Sequence, residues 1–366
     1  MVRDPLRTKL CSLLGVELPI ISFTHCREVA AAVINAGGFA VLGEAMCTPD
    51  EIAADIRWLR EHLDGRPFGI DLVLPTTAPP SGTPGEFLAE IPETHRQFAR
   101  QIKEKYDVPE PRGSVALHRW GGLNREMGRA QADLLLEERV PVIASGLGSP
   151  GFFLDAAHER GLLVFGLVGR TRQARRQLEI GVDAIVAQGY DAAGHTGAMG
   201  TFSLVPEIAS VAGDTPVIAA GGVTTGRHVA AALCLGASGV WTGTVWLASV
   251  ESDVDPLIKD KILAATGHDT SRSRAISGKT LRVLRCPWTE EWAKREAPSV
   301  LATPYQMLLS SDYIQGANDH RRADLMTEAV GQGVGFVTEM KPAQEILCEL
   351  AEEARTVLVG FAGRAS

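Results

Sequence analysis

The chain has 366 residues, of which 45% are hydrophobic and 22% are charged, and its formal net charge is −8 at pH 7. This balance is typical of a globular protein with a large core, and the negative charge disfavours nucleic acid or an anionic membrane as a partner. No apolar run is long enough to cross a membrane and the N-terminus lacks a secretory signal, so we expect a cytoplasmic protein. The six cysteines form no CxxC pair and no zinc-ligand spacing, so we expect reduced thiols and no metal site.

Eight short apolar segments alternate with helical patterns, which is the order expected of βαβ units around a parallel sheet. The predicted strands are residues 18–22, 38–42, 67–74, 140–145, 162–167, 183–188, 216–220 and 239–242. Their nearly continuous apolar character is typical of strands that are covered on both faces. The clearest helix follows the second strand, where Thr48 can cap the first turn, Pro49 fits the first helical position and Glu51 completes a capping box.

Two long segments interrupt this alternation. Residues 75–139 separate the third and fourth strands and are predicted to be an insertion at the catalytic end of the barrel. Residues 251–366 follow the eighth strand and are predicted to be a mainly helical region that packs over the barrel and offers a contact for a homodimer. Three of its glycines are expected to mark a flexible turn: Gly331, Gly333 and Gly335. The predicted fold is therefore an α/β (β/α)8 TIM barrel over residues 1–250, with an insertion and a C-terminal extension.

The distribution of glycine distinguishes this barrel from a doubly wound open sheet. An open sheet would need a glycine-rich motif directly after the first strand, where the chain instead reads SFTHCREV. The glycines cluster after the seventh and eighth strands, which is the usual phosphate site of a barrel. Gly221 and Gly222 let backbone amides approach a ligand, and Gly243 with Thr244 adds amides and a hydroxyl. The alternative is that these glycines only close tight turns.

The loop after the sixth strand is long, polar and rich in glycine, which indicates a functional segment. Gln188 ends the strand and is expected to point its amide toward the barrel mouth, where it could meet the edge of a planar ring. His195 follows Gly194 on backbone that can approach a ligand closely, and histidine exchanges protons near neutral pH. The alternative is a histidine that only holds the loop together.

Two stretches carry a resemblance to a known family: AQGYDAAGHTG, and PVIAAGGVTTGRHVAAALCLGASGVWTGTVWLASVES. Together they resemble the nitronate monooxygenases, formerly called 2-nitropropane dioxygenases. The segments REVAAAVINAGGFAVLG and GQGVGFVTEMKPAQEI are similar to the same family, so the resemblance covers nearly the whole chain. The flavin-type enoyl-acyl-carrier-protein reductases share the block at residues 182–252, which therefore identifies the superfamily better than the substrate.

The resemblance implies bound FMN and a reaction of nitroalkanes or alkyl nitronates with O2 that yields a carbonyl compound and nitrite. It assigns the FMN phosphate to Gly221, Gly222, Gly243 and Thr244, and flavin contacts to Gln188 and Gly194. It places His195 beside the reactive edge of the flavin, where the residue deprotonates a nitroalkane or positions the nitronate. The cofactor supplies the redox chemistry, while the protein orients and tunes it.

The chain departs from this family at two strands that would lie along the flavin. Ser22, Phe23 and Thr24 stand where the family usually has a proline-methionine pair and a glycine, and Asp71 stands where it often has asparagine. A carboxylate facing an anionic reduced flavin is unfavourable unless it is protonated or paired. Ser22 and Asp71 are therefore added to the predicted cofactor-binding residues. The same departures from the family weaken the expectation that the substrates are ordinary nitroalkanes.

Two further functions stay open beside an oxygen-using enzyme of the nitronate monooxygenase type. One is an FMN-dependent NAD(P)H oxidoreductase acting on a conjugated C=C bond, and the other is a flavin-binding protein without turnover, which the retained His195 argues against. A basic stretch could meet an acidic substrate or a nucleotide phosphate, although a solvated face is the favoured interpretation. Its arginines are Arg272, Arg274, Arg282 and Arg285.

Overall fold

The computed structural model describes residues 4–74, 84–113 and 125–362, and its centre is a closed barrel of eight parallel strands. The barrel strands are Ile20–Thr24 (β1), Phe39–Gly43 (β2), Gly69–Val73 (β3), Val142–Gly146 (β4), Leu163–Val168 (β5), Ala184–Gln188 (β6), Val217–Ala220 (β8) and Gly239–Thr242 (β9). Each overlaps a segment predicted from the sequence, and β9 pairs with β1 to close the ring. The prediction of a (β/α)8 barrel is confirmed.

Alternation of side chains along each strand separates two apolar layers. Ile21, Phe39 and Phe165 belong to the cluster that fills the barrel, whereas Ile20 and Leu42 belong to the larger cluster between barrel and helices. Because successive side chains on a strand point to opposite faces, this alternation decides which residues of a strand can reach a ligand at the barrel mouth.

Helices surround the barrel and continue through the insertion and the C-terminal region. They are Lys9–Leu14 (α1), Arg27–Asn35 (α2), Pro49–His62 (α3), Pro84–Glu90 (α4), Glu93–Lys105 (α5), Arg125–Glu137 (α6), Leu154–Glu159 (α7), Thr171–Ile180 (α8), Thr201–Ala209 (α9), Gly226–Cys234 (α10), Thr244–Leu247 (α11), Pro256–Ala264 (α12), Pro287–Glu291 (α13), Tyr305–Asp319 (α14) and Ala343–Ala362 (α15). Helix α3 begins with the predicted capping box, in which the Thr48 amide donates to Glu51 at 2.7 Å. None of the described helices is long and apolar enough to cross a membrane.

The described part of the insertion packs against the C-terminal region. Phe87 and Ile91 from the insertion share a small core with Leu308 of α14. His95 Nε2 lies 2.9 Å from the carbonyl oxygen of Ser299, and Phe98 meets Trp292 edge to face. The predicted insertion boundaries include residues 75–83 and 114–124, which lie outside the described residues.

The C-terminal region also contains two strands that the sequence analysis did not predict. Thr270–Ser273 (β10) and Leu281–Leu284 (β11) form an antiparallel pair, and β11 pairs in turn with the short strand Gly194–His195 (β7). The C-terminal region therefore contacts the loop that carries His195. Helix α15 returns to the barrel, where the Gly226 amide at the start of α10 donates to Glu353 at 2.7 Å.

Candidate active site

A cavity of about 1160 Å³ lies at the mouth of the barrel, where the carboxyl ends of the strands meet. This is the end at which barrel enzymes place their reacting groups. Eight of the nine predicted site residues line the cavity: Asp71, Gln188, Gly194, His195, Gly221, Gly222, Gly243 and Thr244. The chain therefore brings together residues from β3, β6, β7 and the turns after β8 and β9.

Ser22 does not line this cavity, whereas its neighbour Phe23 does. Ile21 belongs to the cluster inside the barrel, so alternation places the Ser22 side chain on the outer face of β1. Ser22 is completely buried there, and its hydroxyl has no hydrogen-bond partner among the described residues. Phe23 instead stacks on Trp241, with ring centroids 5.5 Å apart, and the two rings give the cavity an aromatic wall.

The turn after β8 requires glycine at two successive positions. Gly221 and Gly222 have φ angles of 108° and 71°, in the left-handed region that other residues avoid. A Cβ on Gly221 would lie 2.7 Å from Thr201 Oγ1 and 2.9 Å from the Ala192 amide nitrogen. The turn is therefore narrow, and it lines the cavity with backbone and no side chain.

A second glycine segment, predicted from the sequence to be a flexible turn, completes this side of the cavity. Gly331 and Gly333 are buried, line the cavity and flank the start of a short 3-10 helix. The Gly331 amide donates to Thr244 Oγ1 at 2.9 Å, and a Cβ on Gly333 would lie 3.0 Å from the Gly222 carbonyl oxygen. Three segments that are distant in sequence therefore form one cradle of backbone.

His195 is fixed by contacts on both its backbone and its ring. In the sheet, His195 pairs with Leu281 of β11, and its carbonyl oxygen accepts from Gln188 Nε2 at 3.1 Å. Its ring Nε2 lies 2.8 Å from Ser277 Oγ, while Nδ1 has no hydrogen bond with the described residues. Gln188 therefore supports the histidine loop in addition to lining the cavity.

The surroundings of His195 favour its neutral form. Burial, and secondly the positive charge of Lys279, lower the pKa of His195 to about 4. Lys279 also lines the cavity, is half-buried and has no carboxylate within ion-pair distance among the described residues. The site therefore combines an imidazole whose neutral form is favoured with a lysine that has no carboxylate partner among the described residues.

Asp71 supplies a carboxyl group with no hydrogen-bond partner among the described residues. Its side chain points into the cavity from β3, and Asp71 is only 6% exposed. Its Oδ1 has no hydrogen-bond partner among the described residues, and burial raises the pKa of the carboxyl to about 7. A buried carboxyl group without a hydrogen-bond partner is suited to bind a polar group of a ligand.

We expect Asp71→Asn to stabilise the protein relative to the wild type more strongly at pH 8 than at pH 5. Because burial raises the folded-state pKa from 3.8 to about 7, the folded state takes up a proton more readily and stability falls as pH rises between these values. The difference at pH 8 has an upper limit of about 4 kcal/mol. Chemical unfolding of both proteins at the two pH values measures it, and an equal difference at both would contradict a raised pKa.

The basic stretch is the solvated face that the sequence favoured at Arg272, Arg274 and Arg285, but not at Arg282. Arg282 is buried, and its guanidinium donates to the Tyr190 carbonyl at 3.0 Å and to Thr270 Oγ1 at 2.8 Å. Arg272 donates to the Gly197 carbonyl at 2.6 Å and covers the Tyr190 ring at 5.2 Å. The interpretation as a solvated face is wrong for Arg282, and both arginines hold the histidine loop against the C-terminal strands.

The sequence model described as nitronate monooxygenase matches residues 10–353. The chain belongs to the nitronate monooxygenase family. It is 40% identical to the candidate monooxygenase Rv1533 of Mycobacterium tuberculosis over 361 residues, which cover 95% of this chain and 96% of that protein. Membership in this family makes the chain an enzyme, and the cavity at the barrel mouth is the candidate for its active site.

Two solved structures are similar to this chain over nearly its whole length. Nitroalkane oxidase from Streptomyces ansochromogenes has 27% identity and a TM-score of 0.81, with 96% of this chain and 99% of that chain covered. FabK from Thermotoga maritima has 29% identity and a TM-score of 0.74, with 98% and 99% covered. Since two differently named proteins match to this extent, the overall fold of a family member does not select its substrate.

Proposed function

We propose that this chain is an FMN-dependent monooxygenase that oxidises alkyl nitronates and nitroalkanes with O2 to a carbonyl compound and nitrite. The observation that carries the proposal is that His195 and Lys279 line one cavity, where Lys279 has no carboxylate within ion-pair distance among the described residues and burial favours the neutral imidazole. A neutral imidazole can accept the α-proton of a nitroalkane, and an ammonium group attracts the negative charge of the resulting nitronate.

The cavity has the groups needed to hold FMN. Narrow glycine turns expose the backbone at Gly221 and Gly222, so the amides of this turn are available to a phosphate. Phe23 and Trp241 offer an aromatic wall to the ring system, and the open carboxyl of Asp71 offers a hydrogen bond. When bound, FMN supplies the electron transfer with the substrate and O2.

In this proposal His195 accepts a proton from the substrate. Because its pKa is about 4, it is uncharged at neutral pH and free to receive a proton, but it is a weak base. A nitronate has already lost this proton and avoids the difficult step. We therefore expect nitronates to be oxidised faster than their parent nitroalkanes.

The experiment that tests this function is an anaerobic spectrum of the purified protein before and after adding propyl nitronate. We expect flavin absorbance that the nitronate bleaches and that air restores with release of nitrite, while NADH and NADPH leave it unchanged. A colourless protein that FMN does not reconstitute would exclude the cofactor assignment. Bleaching by a nucleotide but not by the nitronate would exclude the oxygenase.

The second candidate is an FMN-dependent NAD(P)H oxidoreductase that reduces a conjugated C=C bond. It is favoured by the similarity to FabK, which extends over 98% of this chain. Rapid anaerobic bleaching by NADH or NADPH, followed by reoxidation with an enoyl thioester, would establish it in place of the oxygenase.

A further inference from the structure

The hydroxyl of Ser277 makes three polar contacts at once. Its Oγ lies 2.8 Å from His195 Nε2, 3.1 Å from the carbonyl oxygen of Lys279 and 3.4 Å from the Lys279 amide nitrogen. The carbonyl can only accept and the amide can only donate. A serine hydroxyl has one proton to donate and accepts through its lone pairs, so these two contacts already set the direction of its proton.

The third contact then fixes the proton on the histidine. If Ser277 gives its only proton to the Lys279 carbonyl, its oxygen must accept from His195, and Nε2 carries the imidazole proton. The opposite assignment would turn the Ser277 proton toward Nε2, so that lone pairs of Ser277 Oγ and of the Lys279 carbonyl oxygen would face each other 3.1 Å apart. All three hydrogen bonds form together only with the proton on Nε2, which leaves Nδ1 with a free lone pair.

The turn that presents Ser277 is held in place from several sides. Gly278 has a φ angle of 80°, and a Cβ there would lie 2.6 Å from the Thr303 amide nitrogen. The Thr303 hydroxyl donates to the Ser277 carbonyl, and the Ser310 hydroxyl donates to the Ile276 carbonyl at 2.9 Å. Ser277 is itself only 3% exposed, so its hydroxyl is a fixed partner for the imidazole and not a mobile one.

We propose that Ser277 is a positioning residue that holds His195 in the tautomer protonated at Nε2, so that Nδ1 receives the substrate proton. The inference rests on the proposed function, in which the bond between the α-carbon and hydrogen of a nitroalkane breaks, the proton moves to Nδ1 and the electron pair stays on the nitronate. Histidine bases commonly depend on such a partner for the ring nitrogen that does not react.

The test uses the complete protein labelled with ¹⁵N-histidine, and the His195 signals are assigned by their absence in His195→Asn. We expect a protonated Nε2 and an unprotonated Nδ1 in the wild type near pH 7, and a mixture of both tautomers in Ser277→Ala. Ser310→Ala is the matched control, since it removes another buried hydroxyl that bonds the same segment without touching His195. It should keep the wild-type tautomer.

Kinetics provide the second measurement. We expect Ser277→Ala to lower kcat/KM for a neutral nitroalkane by about 10–100-fold, and to change turnover of the matching nitronate by less than about threefold, because the nitronate needs no proton transfer. A wild-type spectrum with the proton on Nδ1 would overturn the proposal, even if Ser277→Ala failed to fold. Equal losses with both substrates would also overturn it, because they would indicate a purely structural serine.

The two proposals can fail separately. If the spectrum shows the expected tautomer but the wild type oxidises neither substrate, the proposed function fails while the role of Ser277 in fixing the ring stands. If both substrates are oxidised but the tautomer is the opposite one, the function stands and the role of Ser277 is lost.

Discussion

Replacing His195 with asparagine is expected to slow the oxidation of neutral nitroalkanes by about 10²–10⁴-fold, the usual contribution of a positioned acid–base group. Asparagine stays polar but is too short to replace the contact of Nε2 with Ser277 Oγ, and it has no nitrogen that accepts a proton at neutral pH. Turnover of the matching nitronate should fall much less, to within about tenfold of the wild type, because no carbon–hydrogen bond is broken. Steady-state kinetics with the two forms of one compound measure the contrast.

The amount of bound flavin is the control for this variant. The His195 ring bonds Ser277 and not the glycine turns, so its replacement should leave the cofactor in place and the protein yellow. A nitroalkane labelled with deuterium at the α-carbon should show a larger isotope effect in the variant, where proton transfer limits the rate. If neutral nitroalkanes were oxidised at the wild-type rate, His195 would have no role in proton transfer.

The sequence could predict the barrel and much of its mouth because those features are encoded locally. A parallel strand covered on both faces is a short apolar run, and such runs were readable at all eight barrel positions. The glycines at 221 and 222 directly follow a strand, so their place at the mouth follows from the order of the elements. His195 is identified by its own loop, seven residues after the end of β6.

The position of Ser22 away from the cavity has a simple physical cause. The first strand was placed correctly, but the side chain that faces the ligand depends on which alternate set of residues lines the barrel. Ile21 fills the barrel interior, so Phe23 and not Ser22 reaches the mouth. In a parallel barrel both faces of a strand are apolar, so the sequence does not show which alternate residues face the barrel interior.

The partners of His195 could not be predicted because they are distant in sequence. Ser277 lies 82 residues from His195, and its position depends on the pairing of β11 with β7. The strand itself is only four residues long, and its alternation of Leu281, Arg282 and Val283 was taken for a basic surface. Pairing of such short strands depends on tertiary packing, so the sequence of a four-residue segment does not predict its partner strand.

Replacing Gly222 with valine is expected to yield a mostly colourless protein. Two charge-assisted hydrogen bonds from the turn to a phosphate would be worth about 3–6 kcal/mol, so their loss weakens FMN binding by about 10²–10⁴-fold. A Cβ at this position would lie 3.3 Å from Asp191 Cβ and within 4 Å of no other described atom, so it requires only a small shift of Asp191, and Gly222 itself lines the cavity. Titration of the apoprotein with FMN measures the loss.

Backbone strain alone would also weaken the protein, and Gly161→Val separates the two effects. Gly161 has a φ angle of 72°, against 71° for Gly222, and a Cβ there would meet nothing within 4 Å. Gly161 does not line the cavity, so its valine variant should carry the same strain and stay yellow. Riboflavin lacks the phosphate, so Gly222→Val should reduce the preference for FMN over riboflavin. If that preference stayed at the wild-type value, the phosphate would have to bind elsewhere in the cavity.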